Sequence, residues 1–290
     1  MKKSSQNVKI FQWNSRSIST NLLAFENHIS QSNYCILALQ SLNVEKRNLP
    51  RMKNYYYPPL CNSNKNTKKV QTAIYTAIYI RSDLVYTIPI SSPFPDTLEE
   101  IYATTAMVKI NEQTTLNIIS VYFPNGPKGD NTDWLKDIAL SNKSYVVMGD
   151  FNAHAPFWEN GCTSVTCNRL VENIVDSSLC LLNDGRITRI PDVSTHKATA
   201  IDLSLVTPDL AVNCTWYTEE DCLGSDHLPI IIELNENIKD DESEDEDKKF
   251  KYKHDDWEAY QAFLISSDIN FVINVLFVLF KFYQDSFISS

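Results

Sequence analysis

Glycine is scarce in this chain, with six in 290 residues against an average near 7%. Such a sequence is not held to many tight turns. A secretory leader is missing, because residues 1–9 are polar and hold no apolar segment. A nuclear or cytoplasmic protein is therefore expected, not a secreted one. A membrane span is missing too. The most apolar stretch, residues 271–280, has Asn274 inside it and falls short of the roughly 20 residues a bilayer needs. Seven cysteines are an odd number in a chain without an export signal, so they read as reduced thiols. Cys162 and Cys167 have no second Cys/His pair at finger-like spacing, which sets structural zinc aside. No internal repeat occurs, and no basic stripe of the kind that grips duplex DNA. The only basic cluster in an expected loop is Lys65, Lys68 and Lys69.

The formal charge of −10 is unevenly spread. Residues 1–235 carry 20 Lys and Arg against 23 Asp and Glu, a net of −3. The other −7 lies beyond, mostly in the run from Asp240 to Asp247, the signature of a solvated linker. Three segments follow: a folded domain over 1–235, an acidic linker over 236–250, and a C-terminal segment over 251–290 with one or two helices. In the last, Trp257, Tyr260, Phe263 and Leu264 could share one helical face.

Hydrophobic residues make up 43% of the chain, enough for a sizeable core. Alternating or continuous apolar runs predict strands at 8–13, 35–39, 72–80, 107–110, 116–123, 145–148, 200–206 and 228–234. Helical spacing predicts helices at 22–30, 133–140 and 168–178. Strands outnumber helices and alternate with them, which favours layered α/β packing with sheets inside and helices outside.

Small polar clusters sit at the ends of these strands. Asn14 follows the first strand and Ser41 lies just beyond the second. Tyr122 ends another, before Pro124. Asp150 and Asn152 follow Tyr145-Val146-Val147-Met148. Asp226 and His227 precede the last strand. Asp202 lies within Ala200-Ile201-Asp202-Leu203, where a lone carboxylate is costly to bury without a partner; His227 is the candidate. Asp150 read alone is a turn acid as readily as a catalytic one, Tyr122 a core tyrosine, His227 a hydrogen-bonded core histidine. Together they have the composition of a site that holds a divalent cation and activates water against a phosphate.

The ordered set Gln12-Trp13-Asn14, Leu39-Gln40, Val121-Tyr122-Phe123-Pro124, Gly149-Asp150-Phe151-Asn152-Ala153-His154, Ile201-Asp202-Leu203 and Ser225-Asp226-His227 resembles the endonuclease/exonuclease/phosphatase superfamily. The likeness is greatest to the apurinic-type endonuclease domain of non-LTR retrotransposons, and it runs over residues 8–234. It implies a four-layered α/β sandwich, two packed mixed sheets flanked by helices. It also implies phosphodiester hydrolysis with Mg2+ or Mn2+, DNA as partner, no membrane partner and a monomer. Asp150 would orient or deprotonate water that Asn152 helps to hold. Tyr122 and Asn14 would meet the phosphate or the metal shell, Asp202 would orient His227, and Asp226 would be a further metal ligand. His154 and Trp158 would line the loop beyond Asn152, with His154 a candidate substrate contact. Thr199 occupies a small-hydroxyl position common in the retrotransposon branch. Asp256-Trp257 resembles the linker that precedes a reverse transcriptase, so a truncated copy of such a polyprotein is expected. His28, His196 and His254 match no motif and read as solvated or structural.

One departure bears on activity. The superfamily places a metal-binding glutamate directly after the Leu-Gln pair, and this chain has Ser41, neutral and short. Glu45 is the nearest alternative carboxylate. Losing such a group typically costs on the order of 10²–10³ in rate, so a weak DNA-nicking enzyme is expected. The alternative is an inactive remnant that at most binds nucleic acid or protein. A hydrolase acting on a phosphoinositide, sphingomyelin or poly(A) is a third reading.

Overall fold

The computed structural model describes residues 7–57, 73–89, 94, 101–159, 167–193 and 196–235. Lys65, Lys68, Lys69, Cys162 and His254, the acidic linker and the segment beyond it lie outside these residues.

The elements run β1 (Val8–Asn14), α1 (Ile18–Ser30), β2 (Ile36–Glu45), β3 (Ala73–Ile80), β4 (Val85–Thr87), β5 (Tyr102–Lys109), β6 (Thr115–Tyr122), α2 (Trp134–Ala139), β7 (Tyr145–Asp150), α3 (Asn168–Asp176), β8 (Cys180–Leu181), β9 (Asp202–Val206), α4 (Pro208–Ala211), β10 (Cys214–Thr218) and β11 (Ile230–Leu234). One sheet has the order β10-β11-β1-β2-β3, the other β4-β5-β6-β7-β9-β8. Both are mixed: β1 runs parallel to β2 and β6 to β7, and the remaining pairs are antiparallel.

Period-two alternation of side chains explains the layering. On the first sheet Phe11, Trp13, Leu37, Leu39, Ala77 and Tyr79 face a cluster that takes in Ile18, Phe25 and Ile29 of α1. These helical residues lie on one stripe of the helix. On the second sheet Ile119, Val121, Val147, Leu203 and Leu205 pack with Trp134, Leu135 and Ile138 of α2 and Leu170 and Ile174 of α3. The intervening residues face the opposite sheet, giving the α/β sandwich of two packed mixed sheets flanked by helices.

The layer between the sheets grows polar in one direction. It begins with Ile10, Ile36, Ile118, Val146 and Val206, all at most 1% exposed. Its middle carries hydrogen bonds from sheet to sheet. Ser204 donates to Gln12 Oε1 over 2.8 Å, and Gln40 Nε2 donates to Ser120 Oγ over 2.8 Å. The Thr76 and Thr104 hydroxyls lie 2.8 Å apart. The layer ends in Asn14, Tyr122, Asp150 and Asp202. Tyr122 registers with Asp150, and Asp150 with Asp202.

Three differences from the sequence pattern have local causes. β2 continues past Leu39 because a bulge between Gln40 and Val44 lets the strand resume pairing with β3. The helix at 22–30 starts at Ile18, which adds one turn to the apolar stripe. β4, β8 and β10 are too short or too weakly patterned to stand out, as Cys180–Leu181 illustrates. Among the described residues no helix is long and apolar enough to cross a membrane.

Candidate active site

Asp150 ends β7 and is 1% exposed. Gly149 makes that position possible: a Cβ there would sit 1.9 Å from the Val121 carbonyl oxygen of the neighbouring strand. Three donors fix the carboxylate. Asn14 Nδ2 reaches Oδ2 over 2.7 Å, the Asn152 backbone N–H reaches Oδ1 over 2.8 Å, and Asn152 Nδ2 reaches Oδ2 over 3.2 Å. Asn152, at φ 44°, also donates to the Phe123 carbonyl over 2.9 Å. Asparagine tolerates this left-handed backbone better than most residues. Burial, reinforced by Asp202, pushes the Asp150 carboxyl up to about 7, while His227, Asn152 and Asn14 oppose the rise.

Opposite stands a histidine–carboxylate pair. His227 Nδ1 lies 2.8 Å from Asp202 Oδ2. Burial works against charge on the imidazole, but Asp202, Asp150 and Asp226 outweigh it and push the group up to about 9. His227 is thus a cation at neutral pH. Thr188 donates its hydroxyl to Asp202 Oδ2 over 2.7 Å and accepts from the Asp202 backbone N–H over 3.1 Å. Its neighbour Arg189 donates Nε to Asp226 Oδ2 over 2.9 Å. Arg16 Nη1 lies 3.8 Å from the other Asp226 oxygen and pairs with Asp192. Sequence reasoning missed Thr188, Arg189 and Arg16. The segment that holds Thr188 and Arg189, Arg186-Ile187-Thr188-Arg189-Ile190, has no period-two pattern to mark it. It is an extended segment that bridges to both Thr199 and His227.

Ser41 sits in the bulge of β2 with φ 51°. Its carbonyl accepts from the Ser17 backbone N–H over 2.8 Å, which docks the turn after β1 onto the bulge. Its Oγ accepts from Asn43 Nδ2 over 3.4 Å; burial raises the pKa of Tyr122 nearby, and Ser41 lowers it in part. Glu45 lies beyond the bulge and pairs with Arg47 over 2.7 Å, so its carboxylate does not stand in for one at position 41. His154 is held by Glu159, Nδ1 to Oε2 at 2.8 Å, on the loop after Asn152. The fully buried Trp158 donates Nε1 to the Ala153 carbonyl. His28 packs on Phe11 and bonds the Tyr34 hydroxyl, while His196 is exposed.

The donor set suits a hard divalent cation. Asp150, Asp202 and His227 bring their polar atoms within 4.8 Å of one another, and the two carboxylates are the donors there, because His227 gives its Nδ1 to Asp202. Asp202 Oδ1 and Asp226 Oδ1 are buried carboxylate oxygens with no hydrogen-bond partner among the described residues, and the buried Thr199 hydroxyl likewise has none. Unpaired buried anionic oxygens are costly, and Mg2+ and Mn2+ bind such oxygen ligands. Of the ligands expected from the sequence, Asp226 has one oxygen without a hydrogen bond, flanked by Arg16 and His227 at 3.8 and 3.9 Å. Asn14 is engaged by Asp150 and by the Arg16 backbone N–H, and Ser41 by Asn43.

The family described as endonuclease-reverse transcriptase matches residues 116–231. That stretch contains Tyr122, Asp150, Asn152, Asp202, Asp226 and His227, but neither Asn14 nor Ser41. The probable RNA-directed DNA polymerase from transposon BS of Drosophila melanogaster is 25% identical over 231 residues, which cover 78% of this chain and 24% of that protein. The chain thus corresponds to about a quarter of this relative's length. Among solved structures, the endonuclease domain of TRAS1, a telomere-specific non-LTR retrotransposon, matches with TM-score 0.60 at 18% identity. The match covers 79% of this chain and 99% of that one. An AP endonuclease from Archaeoglobus fulgidus gives 0.56 at 19% identity, covering 78% and 99%. A 3'-5' exonuclease from Neisseria meningitidis gives 0.55 at 20%, covering 79% and 100%.

Proposed function

We propose that this chain, a member of the endonuclease/exonuclease/phosphatase superfamily akin to the endonucleases of non-LTR retrotransposons, hydrolyses phosphodiester bonds of DNA and is weakened by Ser41. The observation that carries this reading is the pairing of Asp202 with His227, set opposite an Asp150 carboxylate held by two asparagines. Asp150 is placed to act as the base; in the metal-free protein burial pushes its carboxyl up to about 7. It takes the proton of the attacking water as that oxygen bonds to phosphorus and the P–O bond on the far side breaks, its oxygen leaving as an alkoxide that solvent water protonates. Asn152 and Asn14 fix the direction of that carboxylate. His227, cationic and oriented by Asp202 and Thr188, stabilises the negative charge that builds on the phosphate oxygens. Tyr122 reaches the same phosphate through its hydroxyl. A divalent cation, Mg2+ or Mn2+, held by the Asp202 and Asp150 carboxylates with Asp226 alongside would supply Lewis-acid polarisation of the phosphate.

Nicking of supercoiled plasmid in Mg2+ or Mn2+, with a chelator control, tests this. Ser41→Glu is expected to raise the rate on the order of 10²-fold, and Asp150→Ala to abolish it. Equal silence of the two variants would remove the enzymatic reading from this copy. A second reading, DNA binding without cleavage, draws on the short, neutral side chain at position 41. It predicts a metal-independent gel shift that weakens with salt.

A further inference from the structure

Three tyrosines close the space between the two sheets beside the site. Tyr75 belongs to β3 in one sheet, and Tyr102 and Tyr122 to β5 and β6 in the other. The Tyr75 and Tyr102 ring centroids are 4.2 Å apart with planes 30° from parallel. Tyr122 lies 6.4 Å from Tyr75 and 6.2 Å from Tyr102, with planes at 25° and 24°. All three are half-buried. The core aromatics Phe11, Trp13, Phe25, Phe123 and Phe151 are instead at most 1% exposed, so their faces are closed to a ligand.

The rings are near-parallel and partly accessible, and they stand beside the catalytic carboxylate. Tyr102 registers with Tyr122, and Tyr122 with Asp150 on the next strand. Neighbouring strands are about 4.8 Å apart, so the platform lies within one nucleotide of a phosphate held at Asp150. In a phosphodiester substrate, the planar group at that distance is a nucleobase. The headgroups of a phosphoinositide or of sphingomyelin have no aromatic plane to offer. In a paired duplex the base faces are already stacked, so only an unpaired or splayed base can use the platform.

We propose that Tyr75, Tyr102 and Tyr122 form a stacking platform for one unpaired nucleobase adjoining the phosphate under attack. The DNA is then engaged where the base beside the scissile phosphate is unpaired or splayed out of its duplex. This inference rests on the phosphodiesterase reading above.

The test uses the full chain with oligonucleotides carrying 2-aminopurine, in chelator so that binding is read without cleavage. Wild-type protein should quench 2-aminopurine in a single strand and leave it unquenched in a blunt duplex. Tyr75→Leu should lose the quench and bind the single strand about 10-fold more weakly. Its dependence of affinity on salt should be unchanged, because no phosphate contact is lost. Tyr75→Trp should restore both. Binding without quenching by wild-type protein would overturn the platform even if Tyr75→Leu fails to fold. So would a Tyr75→Leu variant that binds and quenches like wild type, or one whose salt dependence changes along with its affinity. In each of these cases nicking by Ser41→Glu would leave the phosphodiesterase reading standing. Absence of any DNA binding, together with a silent Ser41→Glu, would overturn both.

Discussion

Asn14 donates a hydrogen bond to Asp150 across 2.7 Å, although 136 residues separate them and they end strands of different sheets. The bond favours the ionised carboxylate, countering part of what burial does to it. Asn14→Ala should therefore raise the Asp150 pKa above its value of about 7. A base acts only when deprotonated, so the acid limb of the pH–rate profile should move to higher pH. Nicking at pH 7 should fall on the order of 10-fold. Plasmid nicking across pH 5 to 9 in a Ser41→Glu background measures this, and an unmoved limb would contradict it.

His227 owes its charge to Asp202. Its pKa is raised in the folded state from an ordinary 6.5 to about 9. The stabilisation this provides is fully present below pH 6.5 and is lost as pH rises through 9. Metal-free protein should thus become easier to unfold over that window. Asp202→Asn should lower the imidazole pKa by about 2 units, the effect of losing a close opposite charge, and flatten the pH dependence. NMR titration of the histidine ring protons reads the first outcome, and urea unfolding at pH 6 and pH 9 the second.

Gly149 has no room for a side chain, since its Cβ would meet the Val121 carbonyl oxygen at 1.9 Å. Gly149→Ala must push β7 away from β6, breaking the register that sets Asp150 beside Tyr122. The expected cost is at least about 3 kcal/mol, at the severe end of single substitutions. A melting temperature within 2 °C of wild type would refute the steric argument; this is roughly the shift per kcal/mol for a domain of this size.

Cation binding should be linked to protons. An ion held by Asp150 competes with the proton that burial favours, and below about pH 7 the proton gains ground. Mg2+ at ten times its dissociation constant should stabilise the protein by about 1.4 kcal/mol at pH 8 and by distinctly less at pH 5.5. Thermal melts with and without the ion decide it. Equal shifts at both values would place the ion elsewhere.

Much of this arrangement could be read before any coordinates. Strand-end polar residues such as Asn14, Asp150 and Asp226 stand out against apolar runs, and their order along the chain points to the sandwich. What the pattern hid was of two kinds. Thr188 and Arg189 lie on an extended segment held by isolated bridges, too short to carry a strand signal, yet they orient Asp202 and engage Asp226. The Tyr75–Tyr102–Tyr122 stack depends on which strands face one another across the sheets, and periodicity within one strand carries no such information. The bulge after Gln40 was hidden for a similar reason. Ser41 and Asn43 adopt φ near 50° without a glycine to announce the turn.

The contacts that hold the two sheets in step, Gln12 with Ser204, Gln40 with Ser120 and Thr76 with Thr104, make no use of the side chain at position 41. Chemistry and scaffolding are thereby separable in this molecule. On the function proposed above, a serine there weakens the chemistry without touching the frame, and a single replacement at that position is the whole repair.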